Sequence, residues 1–196
     1  MNYLGHIYFS NNDPRLAVAN LFGDFVKGKK YLDYPEYIQE GVLLHRKIDH
    51  FIDHHFEVIH LIHTIRGELP KVAPIAVDIY FDHLLARNWE QYHPTKLPDF
   101  LSDFYSEIDL SKEPYPVEFK QFMNLLVERN WISHYHTEEG LYRMCQGVSR
   151  KLSFDNALKN GHTVFQRFEN EITSCFHEYM RDANEYLMNR VSPFLS

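Results

Sequence analysis

Apolar residues recur every three to four positions along most of the chain, which is the spacing of helices that bury one face. The clearest stretch is GVLLHRKIDHFID, residues 41–53, where Leu44, Ile48, Phe51 and Ile52 are interspersed with charged residues. No alternating run of apolar and polar residues is long enough to predict a strand. The pattern therefore predicts an all-α chain of about seven helices.

Helix boundaries are indicated by capping residues, prolines and glycines. Asp13 is predicted to cap a helix that has Pro14 at its first position and runs to about Gly28. Residues 35–68 predict one long helix, or two in close succession, ending near Gly67. The other predicted helices run from near Pro74 to the HPTKLP segment, through PDFLSDFYSEI, through VEFKQFMNLLVERNWISHY, through TEEGLYRMCQGVSRKL, and from Phe154 to about Arg190, with SKEPYP as a loop.

Composition restricts the class of protein. The chain has 196 residues, of which 44% are hydrophobic and 24% charged, so we expect one soluble globular domain over residues 1–196. A net charge of −7 argues against general nucleic-acid binding. We see no signal peptide, no membrane segment and no disulfide framework from Cys145 and Cys175. We therefore expect a cytoplasmic protein, and the oligomeric state stays open.

Several acidic and histidine side chains lie beside apolar faces. On a helical wheel with His45 at zero, Asp49 falls at about 40° and Asp53 at about 80°, next to the apolar arc. The pair Asp78 and Asp82 shares a face with Leu85 and Trp89. Buried carboxylates require partners, often a metal or another cation. His83 beside Asp82, Asp24 in NLFGDFVKG and His6 in NYLGH complete the set of candidate donors.

Together these donors predict a divalent-metal site in a helical bundle. Mixed imidazole and carboxylate ligation suits Mn²⁺, Fe²⁺ or Zn²⁺, and Mg²⁺ with more water. Arg46 is expected near the site, where its guanidinium suits a phosphate oxygen. The structural alternative is a non-catalytic helical binding protein whose acids form salt bridges with Arg46, Arg66 and Arg87.

Four motifs in this order and spacing resemble the acyl carrier protein phosphodiesterases, or ACP hydrolyases. They are MNYLGH, NLFGDFVKG, GVLLHRKIDHFID and KVAPIAVDIYFDHLLARNW. The resemblance covers residues 1–90 and continues through RNWISHY and CQGVSRKL to about residue 152. It implies an all-helical fold distantly similar to the HD-type metal-dependent phosphohydrolases. The implied reaction removes 4′-phosphopantetheine from holo-acyl carrier protein, with Mn²⁺ favoured.

The resemblance also implies a set of site residues. The implied metal ligands are Asp24, His45, Asp49, Asp78, Asp82 and His83, with His6 and Asp53 as secondary candidates. An ordinary HD motif is His followed by Asp, whereas this chain has His45–Arg46 and the reversed pair Asp82–His83. The ligands are therefore carried over as a set and not with individual roles.

Catalytic and docking roles follow as hypotheses. Arg46 would stabilise charge on the phosphoryl oxygens, and Asp53 or His83 would manage the proton of the leaving group. An acidic carrier protein needs a basic patch, for which the candidates are Lys27, Lys29, Lys30 and Lys47, followed by Arg143, Arg150 and Lys151. A phosphohydrolase of nucleotides or another small phosphodiester would use the same acids and is the catalytic alternative.

Overall fold

A computed structural model describes residues 1–188 of the chain. No strand occurs in this part, so the prediction of an all-α chain is confirmed, with ten α-helices instead of about seven. The α-helices are α1 Tyr3–Tyr8, α2 Pro14–Leu21, α3 Glu36–His54, α4 Phe56–Ile65, α5 Ala73–Arg87, α6 Leu97–Ser106, α7 Val117–Arg129, α8 Glu138–Lys151, α9 Gly161–Arg167 and α10 Glu169–Ala183. Single 3-10 turns lie at Phe22–Phe25, Lys30–Asp33, Trp89–Gln91, Trp131–His134 and Ala157–Asn160, and a π turn lies at Asn184–Met188.

Helix α2 begins as predicted and ends earlier. The Asp13 side chain accepts hydrogen bonds from the backbone N–H groups of Arg15 and Leu16, with Pro14 at the first helical position. The helix ends at Leu21 instead of about Gly28, and a 3-10 turn follows. Glycine is less favourable than alanine inside a helix by about 1 kcal/mol, which favours the change at Gly23. The tighter turn also redirects the chain that carries Asp24.

Longer predicted helices are interrupted at single residues. The long segment after residue 35 is two helices, because His55 has an extended backbone with ψ 126°. Helix α7 ends at Asn130, whose φ of 42° lies in the left-handed region that ends helices. The segment predicted as helical from Phe154 is divided into a 3-10 turn, α9, α10 and the π turn, and its predicted end at Arg190 lies outside the described residues. The short helix α1 is an element that the pattern did not predict.

Helix α5 lies at the centre of the fold. It contacts α1, α4, α8 and α10, and eleven of its fifteen residues are buried. A helix that is buried on all sides belongs to the core and not to the surface. Its buried residues include two polar ones, Asp82 and His83.

Helices α2 and α3 pack closely against each other. A Cβ atom added to Gly41 would lie 2.3 Å from the Ala19 Cβ and 2.5 Å from its carbonyl carbon. Glycine at this position therefore allows the two backbones to approach each other. The close packing brings the turn after α2 against the middle of α3, where His45 and Asp49 lie.

Two further observations concern the chain as a whole. None of the helices formed by residues 1–188 is long and apolar enough to cross a membrane. Cys145 and Cys175 are both buried free thiols. The single domain over residues 1–196 stays a prediction, since the structure describes the chain only to residue 188.

Candidate metal centre

Three side chains converge from helices α1 and α3. The Nε2 atoms of His6 and His45 lie 3.3 Å and 3.1 Å from the two different oxygens of the Asp49 carboxylate. One donor atom from each of the three residues lies within 4.8 Å of the others. Asp24 adds a fourth donor, with Oδ1 3.4 Å from His45 Nε2. The structure thus brings Asp24, His45, Asp49 and His6 together from distant parts of the sequence.

The orientation of His6 is fixed by a buried asparagine. Asn20 Nδ2 donates hydrogen bonds to the His6 carbonyl and to Ser10 Oγ, so its Oδ1 is left to accept from His6 Nδ1 at 2.9 Å. The His6 proton is therefore on Nδ1, and Nε2 keeps its lone pair for the centre. A hydrogen bond of this kind on the far nitrogen is the usual support of a histidine that binds metal.

The position of His45 depends on a glycine. The imidazole lies against Gly23, where an added Cβ would come within 2.2 Å of His45 Cγ. On its other side the ring stacks on His6, with ring centroids 4.2 Å apart. His45 is buried, and its Nδ1 atom has no hydrogen-bond partner among the described residues. The ring is thus held by packing, with Nε2 directed at the two carboxylates.

The charges of the group are coupled. Burial disfavours the charged form of His45, but hydrogen bonds to Asp24 and Asp49 outweigh it and raise its pKa to about 9. Burial likewise opposes ionisation of Asp49, yet the hydrogen bond from His45 and the adjacent His6 imidazole hold its pKa well below the usual range. A proton on His45 thus offsets one of the two carboxylate charges, and a divalent cation held by the same atoms would displace it.

Three members of the group, His6, Asp24 and Asp49, line a cavity of about 330 Å³. Four aspartates line it, namely Asp24, Asp49, Asp53 and Asp78. Burial, followed by the charges of Asp78 and Asp49, raises the pKa of the Asp53 carboxyl group above its ordinary value. Lys151 is the only lysine or arginine among the described residues that line this cavity. The site is therefore an acidic cavity with one side-chain cation at its edge.

Asp78 and Asp82 are placed differently from the four convergent donors. Asp78 lines the cavity, and its Oδ1 forms an ion pair with the amino group of Met1 at 2.9 Å. Asp82 is completely buried, and its oxygens accept hydrogen bonds from the backbone N–H groups of Leu4 at 2.8 Å and Gly5 at 3.1 Å. Burial raises the pKa of Asp82 to about 7. Both carboxylates thus hold the start of α1, and the structure does not place them in the convergent group.

His83 and Arg46 face away from the cavity. His83 Nδ1 donates to the Tyr135 carbonyl at 2.6 Å, and burial lowers its pKa to about 4. Arg46 Nη2 donates to the carbonyls of Val26 and Gly28, and its guanidinium lies over the ring of Tyr31. Neither residue is among those that line the cavity, so the structure does not bring them to the convergent group, and the catalytic roles assigned to them stay predictions.

The remaining predicted residues are on the surface or in other contacts. Lys27, Lys29 and Lys30 are exposed on the segment that follows Asp24. Lys47 is half-buried, with its ammonium 4.8 Å from the centre of the Tyr186 ring. Arg87 pairs with Glu169. The salt-bridge alternative requires arginines that neutralise the carboxylates of the cavity, and neither Arg46 nor Arg87 does so.

Sequence reasoning missed two residues of this site. Asn20 is a fully buried polar residue in the apolar run LAVANLF, four positions before Asp24, and that position was its only signal. Lys151 was considered only as part of a docking surface. Its place in the cavity depends on how α8 packs against α5, which no local pattern reports.

The geometry defines a class of protein. Two imidazoles and the Asp49 carboxylate around one point, with the Asp24 carboxylate next to His45, are a suitable donor set for a first-row divalent cation. The open acidic cavity gives a substrate access to this group. The fold and the site are those of a helical protein with a candidate metal centre.

The comparisons with known proteins place the chain more narrowly. A family model described as acyl carrier protein phosphodiesterase matches residues 1–183, so the chain belongs to that family and the resemblance is confirmed beyond residue 152. A relative named acyl carrier protein phosphodiesterase from Enterobacter sp. (strain 638) is 27% identical over 91% of this chain and 93% of its own length. A relative of the same name from Photorhabdus laumondii is 27% identical over 91% of this chain and 91% of its own length. Another, from Salmonella dublin, is 28% identical over 82% of this chain and 83% of its own length.

No solved structure matches the chain. The similarity to HD-type phosphohydrolases therefore stays a prediction.

Proposed function

We propose that this protein hydrolyses holo-acyl carrier protein to apo-acyl carrier protein and 4′-phosphopantetheine, with a divalent cation bound by His6, His45, Asp49 and Asp24. The observation that carries the proposal is the convergence of these four side chains beside an open cavity. Membership of the acyl carrier protein phosphodiesterase family supports the choice of substrate.

The residues fit a metal by their chemistry. Two borderline imidazole nitrogens together with two hard carboxylates suit Mn²⁺, with Mg²⁺ or Fe²⁺ as alternatives. Asn20 supports His6 through its far nitrogen, as expected of a metal-binding histidine. When bound, such a cation polarises a phosphoryl oxygen and lowers the pKa of a water molecule.

The chain's own residues handle the leaving group. Water adds to phosphorus, the bond from phosphorus to the serine oxygen breaks, and that oxygen takes a proton. Asp53 is the proposed donor, because it lines the cavity and its pKa is raised by burial and by neighbouring carboxylates. It regains its proton from solvent after the carrier protein leaves. His83, the other sequence candidate, is buried against Tyr135 and is left out.

The exposed lysines after Asp24 are the proposed docking surface for the acidic carrier protein. Lys27, Lys29 and Lys30 follow directly on a residue of the cavity, so a partner bound there presents its serine near the site. Lys47 lies between His45 and Asp49 in the sequence of α3 and is retained as an outer candidate. The cytoplasm is the proposed location, since two free thiols fit a reducing compartment.

The test is an intact-mass assay of holo-acyl carrier protein incubated with the purified enzyme and Mn²⁺. We expect loss of the phosphopantetheine mass, and we expect EDTA to stop the reaction. Asp49→Asn removes a charge shared by both histidines and should reduce the rate by at least about 100-fold, as expected for a lost charged ligand. Glu40→Gln, an exposed site on the same helix, is the control and should retain the rate.

Two results would contradict this function. If the mass of the carrier protein is unchanged while Mn²⁺ binds, the cavity serves a smaller phosphodiester. If the enzyme is fully active in EDTA, or if Asp49→Asn equals Glu40→Gln, the four convergent side chains do not hold a catalytic metal.

A further inference from the structure

The cavity beside the candidate centre has an unfavourable charge for its proposed substrate. A phosphodiester carries one negative charge, and the walls present four aspartates. Coulomb repulsion in a partly enclosed site opposes binding unless cations face the phosphate. The metal ion would be bound by Asp24 and Asp49, and the amino group of Met1 is paired with Asp78, so a further cation directed at the substrate is needed.

Lys151 is the side chain that can meet this need. It is the last residue of α8, and Val148, one turn earlier on the same helix, also lines the cavity. The side chain is exposed at the edge of the cavity and not buried in the core. The sequence candidate for this role, Arg46, donates instead to two backbone carbonyls and lies over Tyr31.

We propose that the Lys151 ammonium group donates a hydrogen bond to a non-bridging oxygen of the phosphodiester and so selects substrates that carry phosphate at this point. The inference deepens the proposed function and rests on it for the identity of the substrate. Lysine is well suited to the role as a compact, mobile point charge.

A lysine in the last turn of a helix also stabilises that helix through its dipole, which gives Lys151 an ordinary structural role. Arg150 provides the comparison, because it lies in the same turn and is exposed but does not line the cavity. The structural role predicts equal effects at the two positions, whereas the phosphate contact predicts an effect only at Lys151.

Steady-state kinetics with holo-acyl carrier protein at saturating Mn²⁺ test the contact. We expect Lys151→Ala to lower kcat/KM by about 10- to 100-fold, the size of a lost hydrogen bond to a charged group. Lys151→Arg should recover most of the loss, and Arg150→Ala should stay within about twofold of the wild type. Equal losses in Lys151→Ala and Arg150→Ala would overturn the proposal.

Competition by the product identifies the group that Lys151 contacts. 4′-Phosphopantetheine should inhibit Lys151→Ala less strongly than the wild type, whereas pantetheine, which has no phosphate, should inhibit both equally. If inhibition by both compounds is weakened equally in Lys151→Ala, the side chain affects the shape of the cavity, and the proposed contact with phosphate is overturned.

A binding measurement separates this inference from the proposed function. Dimethyl phosphate is a simple phosphodiester anion, and ³¹P NMR reports its binding to the Mn²⁺-loaded protein without any reaction. Weaker binding to Lys151→Ala than to the wild type or Arg150→Ala supports the contact even if holo-acyl carrier protein is not cleaved. Absence of binding to the wild type, or equal binding to all three proteins, overturns it.

Discussion

At the scale of single residues, the site depends on a space that only glycine leaves. The His45 ring occupies the volume next to Gly23, where an added Cβ would come within 2.5 Å of three of its atoms. Such a contact is too short for any real pair of atoms, so the ring or the turn must move. Because His45 Nε2 lies 3.4 Å from an Asp24 oxygen and 3.1 Å from an Asp49 oxygen, a displacement of the ring disrupts the centre.

We predict that Gly23→Ala loses Mn²⁺ binding and activity and lowers the free energy of unfolding by about 1–3 kcal/mol, as overpacking does. Calorimetric titration with Mn²⁺ and thermal unfolding in EDTA measure the two effects. Gly67→Ala is the matched control, because nothing lies within 4 Å of its added Cβ. A Gly23→Ala protein that binds Mn²⁺ like Gly67→Ala would show that His45 does not need its present position.

Part of the site was predictable from the sequence, and the reasoning that found it also selected a residue outside the site. His45, Asp49 and Asp24 were found because polar residues beside apolar stripes need partners. The same reasoning selected Asp82, which is buried and satisfied by backbone amides instead. Helical periodicity identifies a buried carboxylate, but only the tertiary structure decides whether its partner is a metal or a main-chain N–H group.

At the scale of elements, α1 is too short to be stable alone and is held by α5. Six residues form its helix, and isolated helices of that length are not stable in water. Asp82 accepts hydrogen bonds from the second and third residues of α1, Leu4 and Gly5, which satisfies N–H groups that no residue of the helix can bond. His6 lies one residue further on, so the carboxylate on α5 positions a donor of the centre.

We predict that Asp82→Asn destabilises the protein while leaving the metal ligands in place. One acceptor oxygen is lost, and an N–H group of α1 then faces the new amide, so we expect a loss of about 1–3 kcal/mol in the free energy of unfolding at about pH 4, where Asp82 is uncharged in the folded protein. The loss should diminish as the pH rises to about 8, because burial raises the pKa of Asp82 to about 7 and its ionised form then costs stability in the wild type. At temperatures below its unfolding transition the variant should still bind one Mn²⁺ per chain with reduced affinity. Thermal unfolding in EDTA and metal titration below the transition provide the two readings.

Asp49→Asn should show the opposite pattern, with a large loss of Mn²⁺ affinity and a smaller change in thermal unfolding in EDTA, since its side chain is 45% exposed. If Asp82→Asn instead abolishes Mn²⁺ binding without changing the unfolding temperature, Asp82 is a ligand and not an anchor of α1.

The helices themselves were predictable where apolar spacing was strong and capping residues were present, as at Asp13 and Pro14. Helix α1 was missed because six residues are too few to show a period. The sequence left open whether one or two helices follow residue 35, and it did not predict the break at His55 or the end of α7 at Asn130, because neither residue is a proline or a glycine. Such breaks are imposed by the packing of neighbouring helices, which no window of sequence contains.

At the scale of the whole molecule, a cluster of positive charge lies on the surface of a protein whose net charge is negative. The chain carries −7 overall, yet Lys27, Lys29 and Lys30 are exposed together beside the acidic cavity. Arg46 holds the backbone of this segment through the carbonyls of Val26 and Gly28, and Gly28 adopts a φ of 59° that glycine tolerates. The structure thus presents the three lysines on a fixed segment, and this is a role for Arg46 that fits its observed contacts.

We predict that docking of holo-acyl carrier protein depends on ionic strength. Salt screens exposed charges over about 10 Å at 0.1 M and over less at higher concentration, so KM should rise by about tenfold between about 50 mM and about 500 mM NaCl while kcat changes little. Replacement of both Lys29 and Lys30 by glutamate should raise KM at low salt and reduce the remaining dependence on salt. Steady-state kinetics over a series of NaCl concentrations measure both effects.

The control for this experiment is a lysine elsewhere on the surface. Lys96 is exposed and lines a different cavity next to Trp89, so Lys96→Glu changes the net charge without changing the segment after Asp24. If only the net charge attracts the carrier protein, Lys96→Glu should raise KM as much per charge as the double variant does. If the carrier protein binds to a local surface, Lys96→Glu should raise KM much less. A KM that does not change with salt, or equal effects per charge at the two places, would show that the carrier protein does not bind through Lys27, Lys29 and Lys30.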